Sequence, residues 1–131
     1  MADTFQFDLV SPERSLASFA ATEVQIPGAD GDLTAMPGHA PVITPLRPGV
    51  IRAMGYGSEK DFVVTSGFVD VTAASVSVIA ERAHPVSEIT KADLEDVIVE
   101  AKAKATEATD EHKDGAEKFV ADLVALVDAM D

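Results

Sequence analysis

Apolar and polar residues alternate through the first two thirds of the chain. Between Thr4 and Val10, Phe5, Phe7 and Leu9 alternate with Gln6 and Asp8, which predicts a strand with one buried face. Ser11-Pro12-Glu13-Arg14 interrupts it as a turn. Ser15 to Ala20 and Ala21 to Pro27 resume as strands, with Val24 and Ile26 facing inward and Glu23 and Gln25 outward. Ala29-Asp30-Gly31-Asp32 reads as a turn, because Asp side chains bond nearby backbone N–H groups and Gly accepts positive φ. Further on, Val50 to Met54, Asp61 to Thr65, Phe68 to Val71 and Ser75 to Ala80 read as strands, with Gly55 to Lys60 a loose hairpin connection. Turn signals every eight to twelve residues favour a sandwich or barrel over a parallel α/β sheet.

The stretch from Gly28 to Gly49 breaks this rhythm. Seven residues between positions 31 and 49 are proline or glycine, so no helix runs through it. Short apolar pieces, Leu33 to Met36 and Val42 to Leu46, sit between the breakers. The pattern predicts short strands joined by fixed turns at one rim of an all-β domain.

Past Pro85 the period changes. Thr90 followed by Asp93 is a capping-box signature, and Leu94, Val97, Ile98, Ala101, Ala105 and Ala108 then mark one face of a helix. The polar run Thr109 to Lys113 is expected to break it. Asp114 with Glu117 repeats the capping arrangement, and Ala116, Phe119, Val120, Leu123, Val127 and Met130 mark a second apolar face. Two helices joined by a short loop fold back as an antiparallel hairpin. The predicted fold is therefore an all-β sandwich of roughly nine to ten short strands over residues 1–85, followed by a C-terminal antiparallel α-helical hairpin over residues 86–131.

Composition refines this picture. Of 131 residues 47 % are hydrophobic but only 5 % aromatic, so the core is built of Val, Ile, Leu and Ala, with Phe5, Phe7, Phe19, Phe62 and Phe68 as its largest pieces. The absence of Cys removes disulfides, thiolate metal sites and Cys nucleophiles. A net charge of −13 argues against a nucleic-acid partner, which needs a basic face, and against direct adsorption to an anionic membrane. No apolar run approaches the roughly 20 residues of a bilayer crossing, and no leader is evident at the N-terminus. A membrane link is expected only through a partner. Residues 1–85 carry net −5 and residues 86–131 net −8, a shift that places the structural boundary near His84-Pro85.

Candidate chemistry is sparse. His39 has no Ser nucleophile or carboxylate at motif spacing, so a turn histidine on a rim is favoured over a general base. His84 and His112 fall in a linker and a helix loop. Asp30 and Asp32 lack the closing Glu of a calcium loop, and Gly28 to Gly31 lacks the Lys and following helix of a phosphate cradle. Surface pairing is the default for Arg14, Arg47 and Arg52. No nucleophile, base and orienter converge, so the chain reads as a non-enzyme needing neither cofactor nor metal.

Four segments carry a family resemblance, in order. They are Phe7-Asp8-Leu9-Val10-Ser11-Pro12-Glu13; the Gly28 to Gly49 stretch with Pro37-Gly38-His39-Ala40-Pro41 at its centre; Ser66-Gly67-Phe68-Val69-Asp70-Val71; and Val78-Ile79-Ala80-Glu81-Arg82-Ala83. With the two-helix tail in place, the chain resembles the epsilon subunit of the bacterial-type (F-type) ATP synthase. The resemblance implies a non-catalytic rotor subunit of the central stalk that couples proton-driven rotation to the catalytic head. It implies the gamma subunit and the c-ring as partners, the alpha and beta subunits as partners of an extended hairpin, and a peripheral position on the cytoplasmic face of the bacterial inner membrane. Asp30, Gly31, Asp32 and His39 match family positions near the ring and stalk, with Asp32 first as a contact to c-subunit loops. Some members bind ATP through an Ile/Leu-Asp-x-x-Arg-Ala motif in the first helix. Here that region reads Leu94-Glu95-Asp96-Val97-Ile98-Val99-Glu100-Ala101, and no Arg follows Arg82, so the phosphate-pairing guanidinium is missing and ATP binding is not expected. The second helix sets Lys118 against Glu117, Asp122, Asp128 and Asp131, which also disfavours inhibition through basic contacts. The alternative reading is an acidic β-sandwich binding module whose helical tail assembles another complex.

Overall fold

A computed structural model describes residues 4–55 and 58–129. Among them ten strands run in order: β1 Phe5–Val10, β2 Ser15–Ala21, β3 Glu23–Gly28, β4 Gly31–Ala35, β5 Val42–Pro45, β6 Gly49–Gly55, β7 Ser58–Val64, β8 Gly67–Val71, β9 Ser75–Ala80 and β10 Ala83–Pro85. The helices α1 (Lys91–Glu107) and α2 (Asp110–Ala129) follow. The strands form two five-stranded sheets, ordered β2-β1-β9-β8-β5 and β10-β7-β6-β3-β4. Neighbours pair antiparallel except β1 and β9, which run parallel.

The period of two settles which residues enter the core. Phe5, Phe7 and Leu9 of β1 are buried, as are Val24 and Ile26 of β3, Ile51 and Ala53 of β6, and Val76, Val78 and Ala80 of β9. Phe7 packs edge-on against Phe19 of the adjacent strand at 5.5 Å between ring centres and meets Phe62 of the other sheet at 6.4 Å. Large side chains buried this way stabilise the sandwich by about 1.5–3 kcal/mol each. Phe68 departs from the expected core set: it is 59 % exposed. Val69 and Val71 take the inward positions of β8, so the pleat sends Phe68 and Asp70 to the outer face.

The turn after β1 closes with the Ser11 N–H donating to the Arg14 carbonyl at 2.9 Å. The β6–β7 hairpin is tighter than the loose Gly55–Lys60 connection expected, since Gly55 pairs with Ser58. Tyr56 and Gly57 lie outside the described residues. His84 belongs to β10, opposite Val63, rather than to a linker.

The chain divides into two compact units, breaking between Val86 and Ser87. In the second unit, α1 starts at the expected capping box: the Asp93 N–H donates to Thr90 Oγ1 at 3.2 Å, and the Thr90 N–H to Asp93 Oδ2 at 3.0 Å. Leu94, Ile98, Ala101 and Ala105 are buried along it. The second helix begins earlier than its polar sequence suggests. Asp110 and Glu111 occupy its first turn, where acidic side chains favour the positive end of the helix dipole. His112 and Lys113 are therefore helical, Asp114 and Glu117 lie inside the helix rather than capping it, and the break shrinks to Ala108-Thr109. Ile98, Ala101 and Leu123 form a small core flanked by Val97, Phe119, Val120 and Val127. Leu126 is buried as well, one position from the expected Val127, and Met130 lies outside the described residues.

Candidate functional site on the β4–β5 edge

The Gly28 to Gly49 stretch builds one lateral edge of the sandwich. Its strands β4 and β5 are the outermost members of their respective sheets. Six residues carry the chain from β4 to β5, and Leu46, Arg47 and Pro48 carry it back to β6 in the sheet that holds β4. An isolated bridge between Gly28 and Leu46 joins the two layers at this edge. Prolines at 37, 41 and 45 interrupt the exposed backbone, which disfavours pairing with a foreign strand.

Asp30, Gly31 and Asp32 sit at the tip of the β3–β4 hairpin, whose last pair is Gly28 with Gly31 (φ 141°). The Ala29 N–H donates to the Pro45 carbonyl at 2.8 Å, and the Arg47 N–H to the Pro27 carbonyl at 3.0 Å. The Asp32 carboxylate is bound by the Arg47 guanidinium, which also donates to the Gly28 carbonyl. Asp32 thus pairs across fifteen residues rather than with the neighbouring backbone, and surface pairing is the role Arg47 takes. The Asp32 side chain stays 79 % exposed and that of Arg47 28 %.

His39 lies at the other end of this edge. Met36-Pro37-Gly38-His39 is a turn closed by the His39 N–H donating to the Met36 carbonyl at 3.0 Å. Pro at its second position and Gly38 at φ 88° at its third are the type II arrangement, which requires a residue free to adopt positive φ. The Gly38 N–H donates to the Ala73 carbonyl at 2.9 Å, tying this turn to the β8–β9 connection. His39 Nδ1 is 2.6 Å from the Ala40 carbonyl oxygen, so Nδ1 is the protonated, donating nitrogen. The four steps of β4 between Gly31 and Ala35 separate the two ends by about 14 Å. The four expected residues therefore share one edge of the sandwich but not one rim: Asp30, Gly31 and Asp32 are together and His39 is apart.

A second feature escaped the sequence reading. Pro45, Phe68, Ile79 and Val10 are successive cross-strand partners on the outer face of the sheet that contains β5. Phe68 is 59 % and Ile79 64 % exposed, and Ile43 beside them 71 %. The missed signal was parity: Phe68 shares its face with Asp70, and Ile79 alternates with Val78 and Ala80. Together they form a row of exposed apolar side chains on that outer face.

In the hairpin, a cleft between the helices is lined by Lys102, Ala105, Thr106, Lys113, Glu117 and Val120. Lys118 pairs with Asp122 at 2.7 Å on the same helix. Among the described residues no three His, Asp or Glu side chains stand close enough to share a metal ion. None of the described helices is long and apolar enough to cross a membrane.

The fold defines a class: a β-sandwich followed by a C-terminal helical hairpin. The family model described as "ATP synthase, Delta/Epsilon chain, beta-sandwich domain" matches residues 4–86. The ATP synthase epsilon chain of Cereibacter sphaeroides is 56 % identical over 126 residues, covering 96 % of each chain. That of Paracoccus denitrificans is 49 % identical over 132 residues, covering 100 % of this chain and 88 % of its own. The chain belongs to the ATP synthase epsilon chain family. Among solved structures, a chain of the Euglena gracilis mitochondrial ATP synthase (OSCP/F1/c-ring) superimposes with a TM-score of 0.72 at 20 % identity, covering 96 % of this chain and 80 % of that one. A chain of the Tetrahymena thermophila mitochondrial ATP synthase central stalk and c-ring gives 0.54 at 19 %, covering 64 % and 68 %. At such identities these two establish the shared fold.

Proposed function

We propose that this chain is the non-catalytic central-stalk subunit of an F-type ATP synthase, transmitting rotation of the c-ring to the catalytic head. The observation that carries this reading is the end-to-end match to epsilon chains, sandwich and hairpin together, at about half identity. That match leaves the general binding-module alternative without a supporting observation. The gamma subunit and the c-ring are the proposed partners, with the alpha and beta subunits reached through the hairpin. The apolar row through Phe68 and Ile79 suits the gamma subunit, because apolar contact area holds a permanent assembly. The acidic tip Asp30-Gly31-Asp32 and the His39 turn suit the polar loops of the ring, which lie at the membrane surface. On this reading the chain works at the cytoplasmic face of the bacterial inner membrane, held there by its partners.

Reconstitution tests the proposal. Synthase stripped of its epsilon chain should recover ATP-driven proton pumping when this chain is added back, with the chain co-purifying with the gamma subunit. Failure to bind a gamma-containing stalk would remove the rotor reading.

A further inference from the structure

We propose that Arg47 is a positioning residue that aims the Asp32 carboxylate at a cationic partner group; this rests on the reading of the hairpin tip as a ring contact. Arg47 stands on the three-residue link that returns the chain from β5 to β6. Its backbone is fixed on both sides. Its own N–H bonds the Pro27 carbonyl at 3.0 Å, the preceding Leu46 bridges Gly28 and donates to the Gly67 carbonyl at 2.8 Å, and the following Pro48 is buried. A side chain rooted this firmly has a restricted reach, and it spans the base of the β3–β4 tip.

The guanidinium fork makes two contacts there. One nitrogen donates to the Gly28 carbonyl, at the last pair before the turn, and the other to Asp32 Oδ1. Arg suits this double task because its planar fork holds two acceptors in fixed directions, which an ammonium does not. Among the described residues Arg47 engages one carboxylate oxygen of Asp32, Oδ1, and the side chain remains 79 % exposed. Oδ2 is left to accept from a second cation, in an orientation set before the partner arrives. A contact arranged in advance loses less side-chain freedom on binding than a free rotor would. Arg47 also offsets the repulsion between Asp30 and Asp32, two residues apart on the same tip. Exposed ion pairs contribute little to folding stability, so this pair's consequence lies in binding geometry rather than in holding the sandwich.

The test uses assembled synthase in inverted membrane vesicles and reads proton pumping per ATP hydrolysed, beside the thermal midpoint of the isolated chain. Arg47→Gln should lower the pumping ratio by about threefold, the scale of one lost exposed ion pair, and leave the midpoint nearly unchanged. Arg47→Lys should recover part of the ratio. In an Asp32→Asn background Arg47→Gln should add no further loss, because the effect runs through Asp32. An equal loss in both backgrounds, or a collapse of the midpoint for both Arg47 variants, would overturn the positioning role in favour of a separate or structural one. Normal pumping in Arg47→Gln with impaired pumping in Asp32→Asn would overturn it and leave the tip contact standing. Normal pumping in the Asp30→Asn, Asp32→Asn double variant would instead sink the ring-contact reading, and this inference with it.

Discussion

Phe68 and Ile79 face each other across β8 and β9 on the outer side of the sandwich, each more exposed than buried. Two large apolar side chains this exposed gain little from folding that a polar pair would forgo. Phe68→Ser with Ile79→Ser is therefore expected to change the unfolding free energy by less than about 1 kcal/mol. Phe7→Ala, at a fully buried ring, should cost about 3–5 kcal/mol in the same urea titration. The double variant should nevertheless dissociate from a gamma-containing stalk at lower salt or dilution than the parent. Unchanged retention would take the apolar row off the contact surface.

Gly67 is a position where a single methyl group decides the fold. It opens β8 at φ 139°, and a Cβ there would stand 2.0 Å from the Ile79 carbonyl oxygen. Neither backbone can retreat without breaking the Gly67–Ala80 pairing. Gly67→Ala should thus destabilise the sandwich by about 3 kcal/mol or more, combining a forbidden dihedral with a backbone clash. A midpoint within a degree or two of the parent would show that β8 and β9 sit further apart.

Gly115 gives the opposite sign and tests where α2 begins. It lies in the helix interior, and a methyl group added there would meet nothing within 4 Å. Gly115→Ala should stabilise the hairpin by about 0.5–1 kcal/mol, seen as higher helicity and slower amide exchange. Were Asp114 the cap, as its sequence suggests, residue 115 would be the first helical position and the gain would be far smaller. At the other helix, Thr90→Ala removes a capping box and should cost about 1 kcal/mol.

These cases show what the sequence carries and what it does not. Alternation alone gives the inward faces of β1, β3, β6 and β9, because a pleated strand converts residue parity directly into burial. The same parity places Phe68 outside; reading its size as a core signal overrode the pattern that Val69 and Val71 set. The capping box at Thr90 is local and legible, whereas the start of α2 is not, since Asp110 and Glu111 look like a loop yet favour a helix N-terminus. Asp30, Gly31, Asp32 and His39 stand out as turn residues from composition. Their division between two ends of one edge depends on β4 lying between the turns, and the Arg47–Asp32 pair depends on the chain crossing twice between sheets. Both are products of tertiary closure.

Asp8 supplies a pH dependence. Its carboxyl is held below the usual aspartate value of 3.8, first by a hydrogen bond from Ser18 and then by Gln6, whose Nε2 donates to Oδ1 at 3.1 Å. A depressed native value means that the unfolded chain binds the proton more readily. The stabilisation is therefore complete well above pH 3.8 and is lost as pH falls through the lower native value. Because the carboxyl is open to solvent, water screens the effect and its size is small. The difference in urea midpoint between the parent and Asp8→Asn should stay level from about pH 7 to 5 and shrink below about pH 4. A difference that grows on acidification would reverse the assignment.

The sandwich and the hairpin differ in how far each can stand alone. The large core gathers residues from Phe5 to Ala83, and the hairpin's own core rests on Ile98, Ala101 and Leu123. Alanines at 101 and 105 let the helix axes approach but bury little area, at about 25 cal/mol per Å². Acidic side chains crowd the second unit, where net −8 falls on residues 86–131. Most helical stability in proteins comes from tertiary packing of an apolar face, which is small here. A chain ending after Val86 should therefore unfold cooperatively in urea like the parent's sandwich. A peptide of residues 87–131 should be weakly helical at low salt and gain helicity as added salt screens the like charges, over a Debye length falling from about 30 Å at 0.01 M to about 10 Å at 0.1 M. Circular dichroism across that range decides it. A peptide already fully helical at about 0.01 M would mean that the hairpin is held by its own core, and a truncated sandwich that fails to fold would mean that the first unit depends on the second.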